Sequence, residues 1–316
     1  MTDIKLIAEG LKNRNYRSLA RAISLVENGD EQADRLLNEI FPAMPPVYRL
    51  GITGPPGAGK STLLARLVRL FREKQQRIGI IAVDPTSPFS GGAVLGDRIR
   101  MNELSTDPGV FIRSMATRGS LGGLSGTAQD VADLMAVAGM DLVIFETVGV
   151  GQGELDVARA TDTTLVVLVP ESGDSIQAMK AGLMEIADIF IINKSDRDGA
   201  EKLKIELELM LQLRTVAPKW IPPIVKTVAN DGTGLDELYR LVQEHSAYIG
   251  NSGILKDKRI QRMVEKMQTL VTQDLLENFW NPAREKLLNT CLEKLLDRSL
   301  SPRQLLTDLK KLNIQK

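Results

Sequence analysis

From Val47 onward, short apolar runs alternate along the chain with longer amphipathic segments, and this alternation limits the possible fold more than any other feature. Such a pattern predicts parallel strands joined by crossover helices, because parallel strands need a long connection and a helix supplies it. The runs are almost entirely apolar, which indicates a sheet covered on both faces. The sequence therefore predicts an α/β fold with a mostly parallel sheet flanked by helices.

The element boundaries follow from where these runs and amphipathic segments begin and end. The predicted strands are Tyr48–Thr53, Ile78–Val83, Val110–Met115, Leu142–Phe145, Leu165–Val169, Ile189–Ile192 and Ile224–Thr227. The predicted helices between them are Lys60–Lys74, Thr127–Gly139, Ser175–Ile186, Ala200–Thr215 and Leu235–Gly250. Helical periodicity without strand signals precedes and follows this region. We therefore predict a helical segment at 1–44, an α/β domain at 45–250 and a helical arm at 251–316.

A glycine-rich loop lies between the first predicted strand and the helix that follows it. The loop matches the pattern GxxxxGK(S/T) and consists of Gly54, Pro55, Pro56, Gly57, Ala58, Gly59, Lys60 and Ser61, followed by Thr62. In such a loop, glycines let successive backbone N–H groups turn inward around phosphates, and the helix N-terminus adds positive potential. Lys60 is then placed to bridge the β and γ phosphates, and Ser61 to ligate Mg²⁺. The loop predicts a P-loop NTPase.

A second motif concerns the nucleotide base. Asn193, Lys194, Ser195 and Asp196 form the sequence NKxD at the C-terminal end of a predicted strand, where ligands bind in open α/β sheets. A carboxylate at Asp196 accepts hydrogen bonds from guanine N1–H and the 2-amino group, whereas adenine offers no such pair of donors. We expect Lys194 to lie along the base plane and Asn193 to tie this turn to the phosphate loop. The motif predicts GTP and GDP as ligands.

A further base-side loop is expected after the last predicted strand, at Val228, Ala229 and Asn230. Many GTPases carry Ser-Ala at the first two of these positions, so Val228 departs from the usual pattern. A backbone N–H from Ala229 is the expected donor to guanine O6. We therefore include this loop in the predicted nucleotide site.

Three acidic residues are predicted to lie on the phosphate side of the sheet. Asp84 and Glu146 each follow a predicted strand directly, and Asp97 lies in the irregular stretch after Asp84. Together with Ser61 they suit a Mg²⁺ site completed by phosphate oxygens and water, since Mg²⁺ prefers oxygen ligands. The same carboxylates are candidates for orienting the attacking water. A helix cap for Asp97 and a turn carboxylate for Asp84 are the alternatives.

The segment after Glu146 predicts a nucleotide-dependent switch. The N–H of Gly149 is placed to donate to the γ phosphate, so loss of that phosphate would release the segment. Gln152 is the candidate for activating water, because Val150 has no polar group that polarises it. The predicted catalytic residues are Lys60, Asp97, Glu146 and Gln152. We expect slow intrinsic hydrolysis that a partner accelerates.

Composition excludes several other classes of protein. The chain has 40 Lys and Arg against 40 Asp and Glu, so its net charge of zero predicts no binding to nucleic acid or to an anionic membrane. Its single cysteine, Cys291, forms no intramolecular disulfide, and no apolar run is long enough to span a bilayer, which favours the cytoplasm. With His245 as the single histidine, a His/Cys metal site is not expected. We predict a surface or packing role for His245 and a buried apolar role for Cys291.

Several stretches together closely resemble the ArgK/MeaB family. They are Gly51–Thr62, Val83–Gly92, Leu95–Met101, Glu146–Gln152 and Asn193–Asp196. The resemblance extends over nearly the whole chain. Members of this family are P-loop GTPases, related to the metallochaperone GTPases, that act as chaperones of methylmalonyl-CoA mutase and its relatives. The resemblance thus implies a GTPase that gates adenosylcobalamin loading and protects the mutase from inactivation.

The resemblance also implies roles for particular positions. The family's Mg²⁺ and switch carboxylates fall on Asp84, Asp97 and Glu146. The positions of its third switch, through which the mutase partner is sensed, fall on Asp174, Gln177 and Lys180. The C-terminal helices resemble the family's dimerisation arm, so we expect a homodimer, with Phe279 and Trp280 as candidate anchors.

Two other functions share parts of this pattern. A metallochaperone GTPase serving nickel or zinc enzymes has the same fold and base motif, but such proteins carry Cys/His clusters, and this chain has only His245 and Cys291. An ATP-dependent kinase is disfavoured by Asp196 and by the lack of a separate phosphorylating constellation. The chain also lacks the DxHxxG motif that ligates cobalamin, so we expect the coenzyme to lie on the partner.

Overall fold

The computed structural model describes residues 4–84, 104–116, 126–147, 153–170, 182–213 and 219–312. The chain divides into two compact units, Met1–Lys258 and Arg259–Lys316. The first unit contains a sheet with its flanking helices, and the second unit is helical. None of the helices in the described ranges combines the length and the apolar character that a membrane crossing requires.

The described strands form one parallel sheet. They are β1 (Tyr48–Thr53), β2 (Ile78–Asp84), β3 (Val110–Ala116), β4 (Leu142–Thr147), β5 (Thr163–Leu168), β6 (Ile189–Asn193) and β7 (Ile224–Thr227). Their spatial order is β3-β2-β4-β1-β5-β6-β7, and every neighbouring pair is parallel. Strands β2 to β4 lie on one side of β1 and strands β5 to β7 on the other, so β1 lies at the switch point where open α/β sheets bind ligands. The predicted fold class is confirmed.

Helices cover both faces of this sheet, and further helices follow along the chain. In the first unit they are α1 (Ile4–Lys12), α2 (Tyr16–Asn28), α3 (Glu31–Ile40), α4 (Lys60–Glu73), α5 (Gly126–Val137), α6 (Gly153–Ala160), α7 (Met184–Ile186), α8 (Ala200–Gln212) and α9 (Leu235–Asn251), with a 3₁₀ turn at Phe41–Ala43. They are followed by α10 (Ile254–Phe279), α11 (Pro282–Leu296) and α12 (Pro302–Lys311). Pro282 and Pro302 each lie in the first turn of a helix, where the N–H that proline lacks is not needed.

The two faces of strand β4 belong to two separate apolar cores. Strand β4 is buried along its whole length. Its residues Leu142 and Ile144 pack into the core that includes side chains of α4 and α9. The alternate residues Val143 and Phe145 pack into the core that includes side chains of α1 to α3 and α5. Because side chains alternate along a strand, a continuous apolar run is what a strand covered on both faces requires.

The N-terminal helices pack against the sheet within the first unit. Leu19 of α2 shares a core with residues of α5 and β4. The Tyr16 hydroxyl donates a hydrogen bond of 2.7 Å to the carbonyl oxygen of Pro108, which precedes β3. Glu27 of α2 forms an ion pair with Arg113 of β3. Both apolar and polar contacts therefore attach these helices to the edge strand.

Strand β4 is longer than the sequence predicts. The predicted strand ends at Phe145, whereas β4 continues through Thr147. Glu146 therefore lies inside a strand, where its register partners are Ile52 of β1 and Ala82 of β2. The neighbouring strands supply backbone hydrogen bonds to this position, and they override the weak strand propensity of glutamate. Most of the predicted helix Ser175–Ile186 lies outside the described residues. Helix α7 coincides with its C-terminal end.

A buried polar cluster lies at the N-terminal edge of the sheet. Tyr48 and His245 both hydrogen-bond the Thr163 hydroxyl, His245 through Nδ1 at 2.6 Å. His245 Nε2 lies 3.3 Å from Asp188 Oδ1, and Lys258 Nζ lies 3.4 Å from Asp188 Oδ2. Burial raises the pKa of Asp188, but the hydrogen bond from His245 and the charge of Lys258 outweigh it and hold the pKa below its ordinary value. His245 is thus a buried member of a polar network.

The second unit has a small core of its own. Cys291 of α11 packs with Leu305 and Leu309 of α12, which confirms its predicted buried role. The buried Arg284 side chain donates to the carbonyl oxygens of Leu309 and Phe279 at 2.9 and 2.6 Å. Its guanidinium carbon also lies 4.4 Å from the centroid of the Phe279 ring. Arg284 therefore ties the end of α10 to the end of α12.

Candidate nucleotide-binding site

The loop between β1 and α4 has the backbone geometry of a phosphate-binding loop. Gly54, Gly57 and Gly59 have φ angles of 138°, 74° and 83°, which residues with a Cβ rarely adopt. A Cβ at Gly54 would overlap the carbonyl oxygen of Val167, and a Cβ at Gly59 would lie 2.5 Å from Asn193 Nδ2. Gly54 and Gly59 are therefore required both for conformation and for close approach to neighbouring elements.

Lys60 begins α4, and its side chain folds back over the loop. Its Nζ donates to the carbonyl oxygens of Gly54 and Pro55 at 2.8 and 3.0 Å. The residue is only 6% exposed, so this charge is fixed in place rather than mobile in solvent. The positive end of the α4 dipole lies at the same point. An anion in the loop would therefore meet both the ammonium group and the helix N-terminus, which suits phosphate.

Ser61 and Glu146 meet beside this loop. The Ser61 hydroxyl donates to Glu146 Oε1 at 2.6 Å, and both residues are buried. A hydroxyl and a carboxylate in contact are oxygen donors of the kind that Mg²⁺ prefers. Asp84 ends β2, the neighbour of β4, but its side chain lies outside the described residues. Among the side chains that are described, no group of three or more His, Cys, Asp or Glu could hold a metal ion.

Asn193 connects the base side of the site to the phosphate loop. Its Nδ2 donates to the carbonyl oxygen of Ala58 at 2.8 Å. Its Oδ1 accepts from the Thr227 hydroxyl at 3.2 Å and from the Ala229 N–H at 3.1 Å. The residue is buried at the end of β6, so these three bonds replace the water that its amide would otherwise bind. One side chain thus fixes three loops relative to one another.

The turn after β6 presents the rest of the NKxD motif. Lys194 has a φ angle of 56°, a left-handed conformation, and its Nζ donates to the carbonyl oxygen of Gly57 at 2.9 Å. The backbone N–H of Ser195 donates to the carbonyl oxygen of Thr227 at 3.1 Å. Asp196 is exposed at this turn. Its carboxylate is therefore accessible to the two donors of a guanine base.

The loop after β7 is closed by a small antiparallel bridge. The N–H of Val228 donates to the carbonyl oxygen of Thr233 at 3.0 Å. The N–H of Ala229, the predicted donor to guanine O6, is engaged with Asn193. A base bound here would share that N–H with Asn193 or use the next donor, the N–H of Asn230. We call the segment Val228–Thr233 the base loop.

Sequence reasoning missed two residues that position the base loop. Thr227 directly precedes the loop, and its hydroxyl binds Asn193. Its place as the last residue of a predicted strand, directly before the predicted loop, was the available signal. Arg66 Nη2 donates to the carbonyl oxygen of Asn230 at 2.7 Å. No local pattern marks Arg66, because it lies on α4, far from the base loop along the chain.

Several predicted site residues lie outside the part of the chain that is described. They are Asp97, Gly149, Gln152, Asp174, Gln177 and Lys180. Their roles in metal binding, water activation and switching stay predictions. The described residues bring the phosphate loop, Glu146, the NKxD turn and the base loop together at the C-terminal edge of the sheet.

Comparison with known proteins identifies the family of this site. The family described as "Methylmalonyl Co-A mutase-associated GTPase MeaB" matches residues 19–284. The match includes the phosphate loop, Glu146, the NKxD turn and the base loop. The chain belongs to the MeaB family. It is therefore a P-loop GTPase, a hydrolase, as the sequence predicts.

Individual relatives cover most of the chain. A putative GTPase of Pyrococcus abyssi is 50% identical over 269 residues, which are 84% of this chain and 83% of the relative. GTPase ArgK of Escherichia coli is 35% identical, over 93% of this chain and 91% of its own length. The mitochondrial methylmalonic aciduria type A homolog of Mus musculus is also 35% identical, over 93% of this chain and 75% of its own length.

A solved structure has the same fold. The crystal structure of a LAO/AO transport system kinase superposes with a TM-score of 0.73 at 28% identity, and the match covers 98% of each chain. The predicted P-loop NTPase fold and the predicted ArgK/MeaB membership are both confirmed. The arrangement of these loops at the switch point of the sheet is what such a fold uses to bind nucleotides.

Proposed function

We propose that this GTPase is a chaperone of a cobalamin-dependent acyl-CoA mutase. In this role it gates the loading of adenosylcobalamin and protects the mutase from inactivation. The observation that carries the proposal is the match of residues 19–284 to a family described as associated with methylmalonyl Co-A mutase. The name of the mouse relative, which refers to methylmalonic aciduria, agrees with such a partner.

The proposed ligands are GTP or GDP with Mg²⁺. The backbone N–H groups of the phosphate loop and the ammonium of Lys60 would hold the phosphates. Ser61 and Glu146 offer two oxygen ligands for Mg²⁺, and Asp84 and Asp97 are proposed to complete the acidic set. When bound, Mg²⁺ supplies positive charge that offsets the charge of the β and γ phosphates. Asp196 would accept the guanine N1–H and 2-amino groups and so exclude adenine.

The proposed switch couples the nucleotide site to the mutase partner. Gly149 and Gln152 follow β4 within a few residues of Glu146, so they are proposed to respond to the γ phosphate. Asp174, Gln177 and Lys180 are proposed to form the third switch and to meet the mutase. Slow hydrolysis without the partner then keeps the GTP state long enough to act as a checkpoint.

We further propose that α10 mediates a homodimer. Of its residues only Arg262 is buried. Most of its large apolar side chains are exposed, namely Ile260, Met263, Val264, Met267, Leu270, Val271, Leu275 and Leu276. Monomeric proteins rarely leave so large an apolar surface in water. A second copy of the same helix is the occupant that matches it, because a two-fold interface buries the same residues from both chains.

The two predicted aromatic anchors differ in their suitability for this interface. Phe279 packs against Arg284 inside the second unit and is already engaged there. Trp280 is 39% exposed, so much of its ring is available. Trp280 therefore stays the candidate anchor, while Phe279 is better explained by the structure of its own unit.

Nucleotide-dependent capture of the mutase tests the function. The purified full-length chain would be mixed with an apo cobalamin mutase and with GDP or a nonhydrolysable GTP analogue. We expect a complex whose stability differs between the two nucleotides, and faster GTP hydrolysis when the mutase is present. Adenosylcobalamin would then be added, and its loading into the mutase should require hydrolysable GTP.

Other results would assign another function. Equal binding of the mutase with GTP analogue, GDP or no nucleotide, together with an unchanged hydrolysis rate, would contradict the chaperone role. Stimulation by a nickel or zinc apo-enzyme instead would favour a metallochaperone. Transfer of the γ phosphate to a small molecule or protein would favour the kinase activity in the name of the structural relative.

A further inference from the structure

The base loop is held at several points along its length, and Asn193 accounts for only one of them. Asn193 binds the N–H of Ala229 at the start of the loop. Within the loop, the N–H of Gly232 donates to the carbonyl oxygen of Val228 at 3.0 Å. The N–H of Thr233 donates to Asp231 Oδ1 at 2.9 Å. These bonds close the loop on itself, but they do not attach its tip to the rest of the site.

Arg66 supplies that attachment. It lies in the second turn of α4, the helix that begins at Lys60, and its side chain is partly buried. Its guanidinium donates to the carbonyl oxygen of Asn230 at 2.7 Å. The bond is charge-assisted, and bonds of this class are shorter and stronger than those between neutral groups. The tip of the base loop is therefore fixed to the helix that carries the phosphate loop.

The charge of Arg66 also favours this conformation of the tip. The bonds from the N–H and hydroxyl of Thr233 lower the pKa of the neighbouring Asp231, and the positive charge of Arg66 lowers it further. Asp231 is thus held as a carboxylate that closes the turn. The charge of Arg66 is the smallest of these contributions, so the hydrogen bond to the carbonyl of Asn230 is its main contact with the tip.

The held segment contains the donors that a guanine O6 would meet. Asn193 restrains the N–H of Ala229. Arg66 restrains the carbonyl group of the next residue, Asn230, and thereby limits the movement of that residue's N–H. Without Arg66 the tip would keep its internal bonds but lose its fixed position relative to the phosphate loop. A displacement of a fraction of an ångström is enough to weaken a hydrogen bond to the base.

We propose that Arg66 is a positioning residue that sets guanine affinity by fixing the base loop to α4. The proposal rests on the assignment of the base site to Asp196 and the base loop. It assigns Arg66 no contact with the nucleotide. It predicts that Arg66 acts on the base and not on the phosphates.

The test compares full-length Arg66→Ala, Arg66→Lys and Arg69→Ala, the last of which removes the same charge from α4 one turn further on. Dissociation constants are measured for GDP, IDP and ADP. GDP and IDP both carry O6, whereas ADP carries an amino group there. We expect Arg66→Ala to weaken GDP and IDP by about tenfold each, with ADP unchanged. Arg66→Lys should recover part of the loss, because an ammonium also donates to a carbonyl, and Arg69→Ala should bind like the wild type.

Two results would overturn the proposal. If Arg66→Ala binds GDP like the wild type, the hydrogen bond from Arg66 to Asn230 does not contribute to guanine affinity. A variant that weakens GDP, IDP and ADP by the same factor has lost the fold or the phosphate loop instead. Asp196→Asn measured in parallel separates the base site from Arg66. If Asp196→Asn keeps its preference for GDP over ADP, the base site itself is misassigned and the proposal fails with it.

Discussion

The α/β unit and helix α10 differ in the burial of their apolar side chains. Strands β4, β5 and β6 are buried along their whole length, and helices on both faces of the sheet complete the apolar cores. Along α10 most apolar side chains are exposed, and Leu275 is 62% exposed. Among the described residues after Lys258, the buried apolar side chains are Cys291, Leu305 and Leu309.

This difference supports the proposal that nucleotide chemistry and dimerisation depend on separate parts of the chain. Burying one Leu or Met side chain contributes about 1.5 to 3 kcal/mol, so the α/β unit stabilises its own site geometry. The apolar face of α10 gains comparable stabilisation only when something covers it. A change in the α/β unit should therefore alter hydrolysis without altering the dimer, and a change in α10 should do the reverse.

The largest effect is expected for Lys60→Ala. The variant removes the ammonium that lies over the phosphate loop, and with it charge stabilisation of the transferred phosphate. We expect GTP hydrolysis to fall on the order of 10³-fold, while the dimer persists in light scattering. Arg69→Ala on the same helix is the control. Hydrolysis within threefold of the wild type would show that Lys60 does not act on the phosphates.

Removal of His245 should reduce stability more than any single exposed substitution. His245→Ala removes a buried side chain together with its contacts to the Thr163 hydroxyl and to the Asp188 carboxylate. We expect the free energy of unfolding to fall by about 3 kcal/mol, as measured by urea denaturation. Glu244→Ala is the control, because its pair with Arg240 is exposed and should contribute less than about 1 kcal/mol. Equal losses in both variants would mean that the polar cluster around His245 contributes no more to the free energy of unfolding than an exposed ion pair does.

A charge on α10 should separate association from catalysis. In Met267→Asp, dimerisation would bury a carboxylate in an apolar interface, so the variant should dissociate about 100-fold more readily. Light scattering should give the mass of a monomer, and the GTPase rate of the isolated chain should stay the same. Gln268→Asp adds the same charge at the next position, where the wild-type residue is already polar. An unchanged dimer in Met267→Asp would remove α10 from the interface.

The smallest effect concerns an ion pair at the edge of the α/β unit. The Arg72 guanidinium donates to both oxygens of Asp107, and this bond, with the N–H of Gly109, lowers the pKa of that carboxyl despite some burial. A lowered pKa stabilises the fold above the unfolded value of about 3.9, and the gain is lost as pH falls through the folded value. Asp107→Asn should therefore cost about 1 kcal/mol at pH 7 and less at pH 3.5. A cost that grows on acidification would contradict the assignment.

Most of the fold could be predicted because it depends on local pattern. The boundaries of β1 and β7 match the predicted strands, since each contains β-branched apolar residues and follows closely on prolines. The predicted end of β4 was wrong, because Glu146 stays in the strand through hydrogen bonds to its neighbours. Sequence periodicity carries no information about those partners.

The site could be predicted where a motif carries the chemistry. The phosphate loop and Asn193 are recognisable from spacing alone. Arg66 and the polar cluster around His245 are not, because each depends on residues that only the tertiary fold brings together. Thr163 lies on β5, His245 on α9, and Asp188 just before β6. The histidine was therefore predicted to have an ordinary role at the surface or in packing, and its polar partners were missed.

The preference of Asp196→Asn for GTP or XTP tests the central claim most directly. An asparagine amide donates where the carboxylate accepts, and xanthine presents a carbonyl where guanine presents its 2-amino group. We predict that the variant loses GTP hydrolysis and gains XTP hydrolysis, while Lys60→Ala hydrolyses neither. Hydrolysis of GTP at the wild-type rate with no gain for XTP would contradict the assignment of this site to a guanine nucleotide.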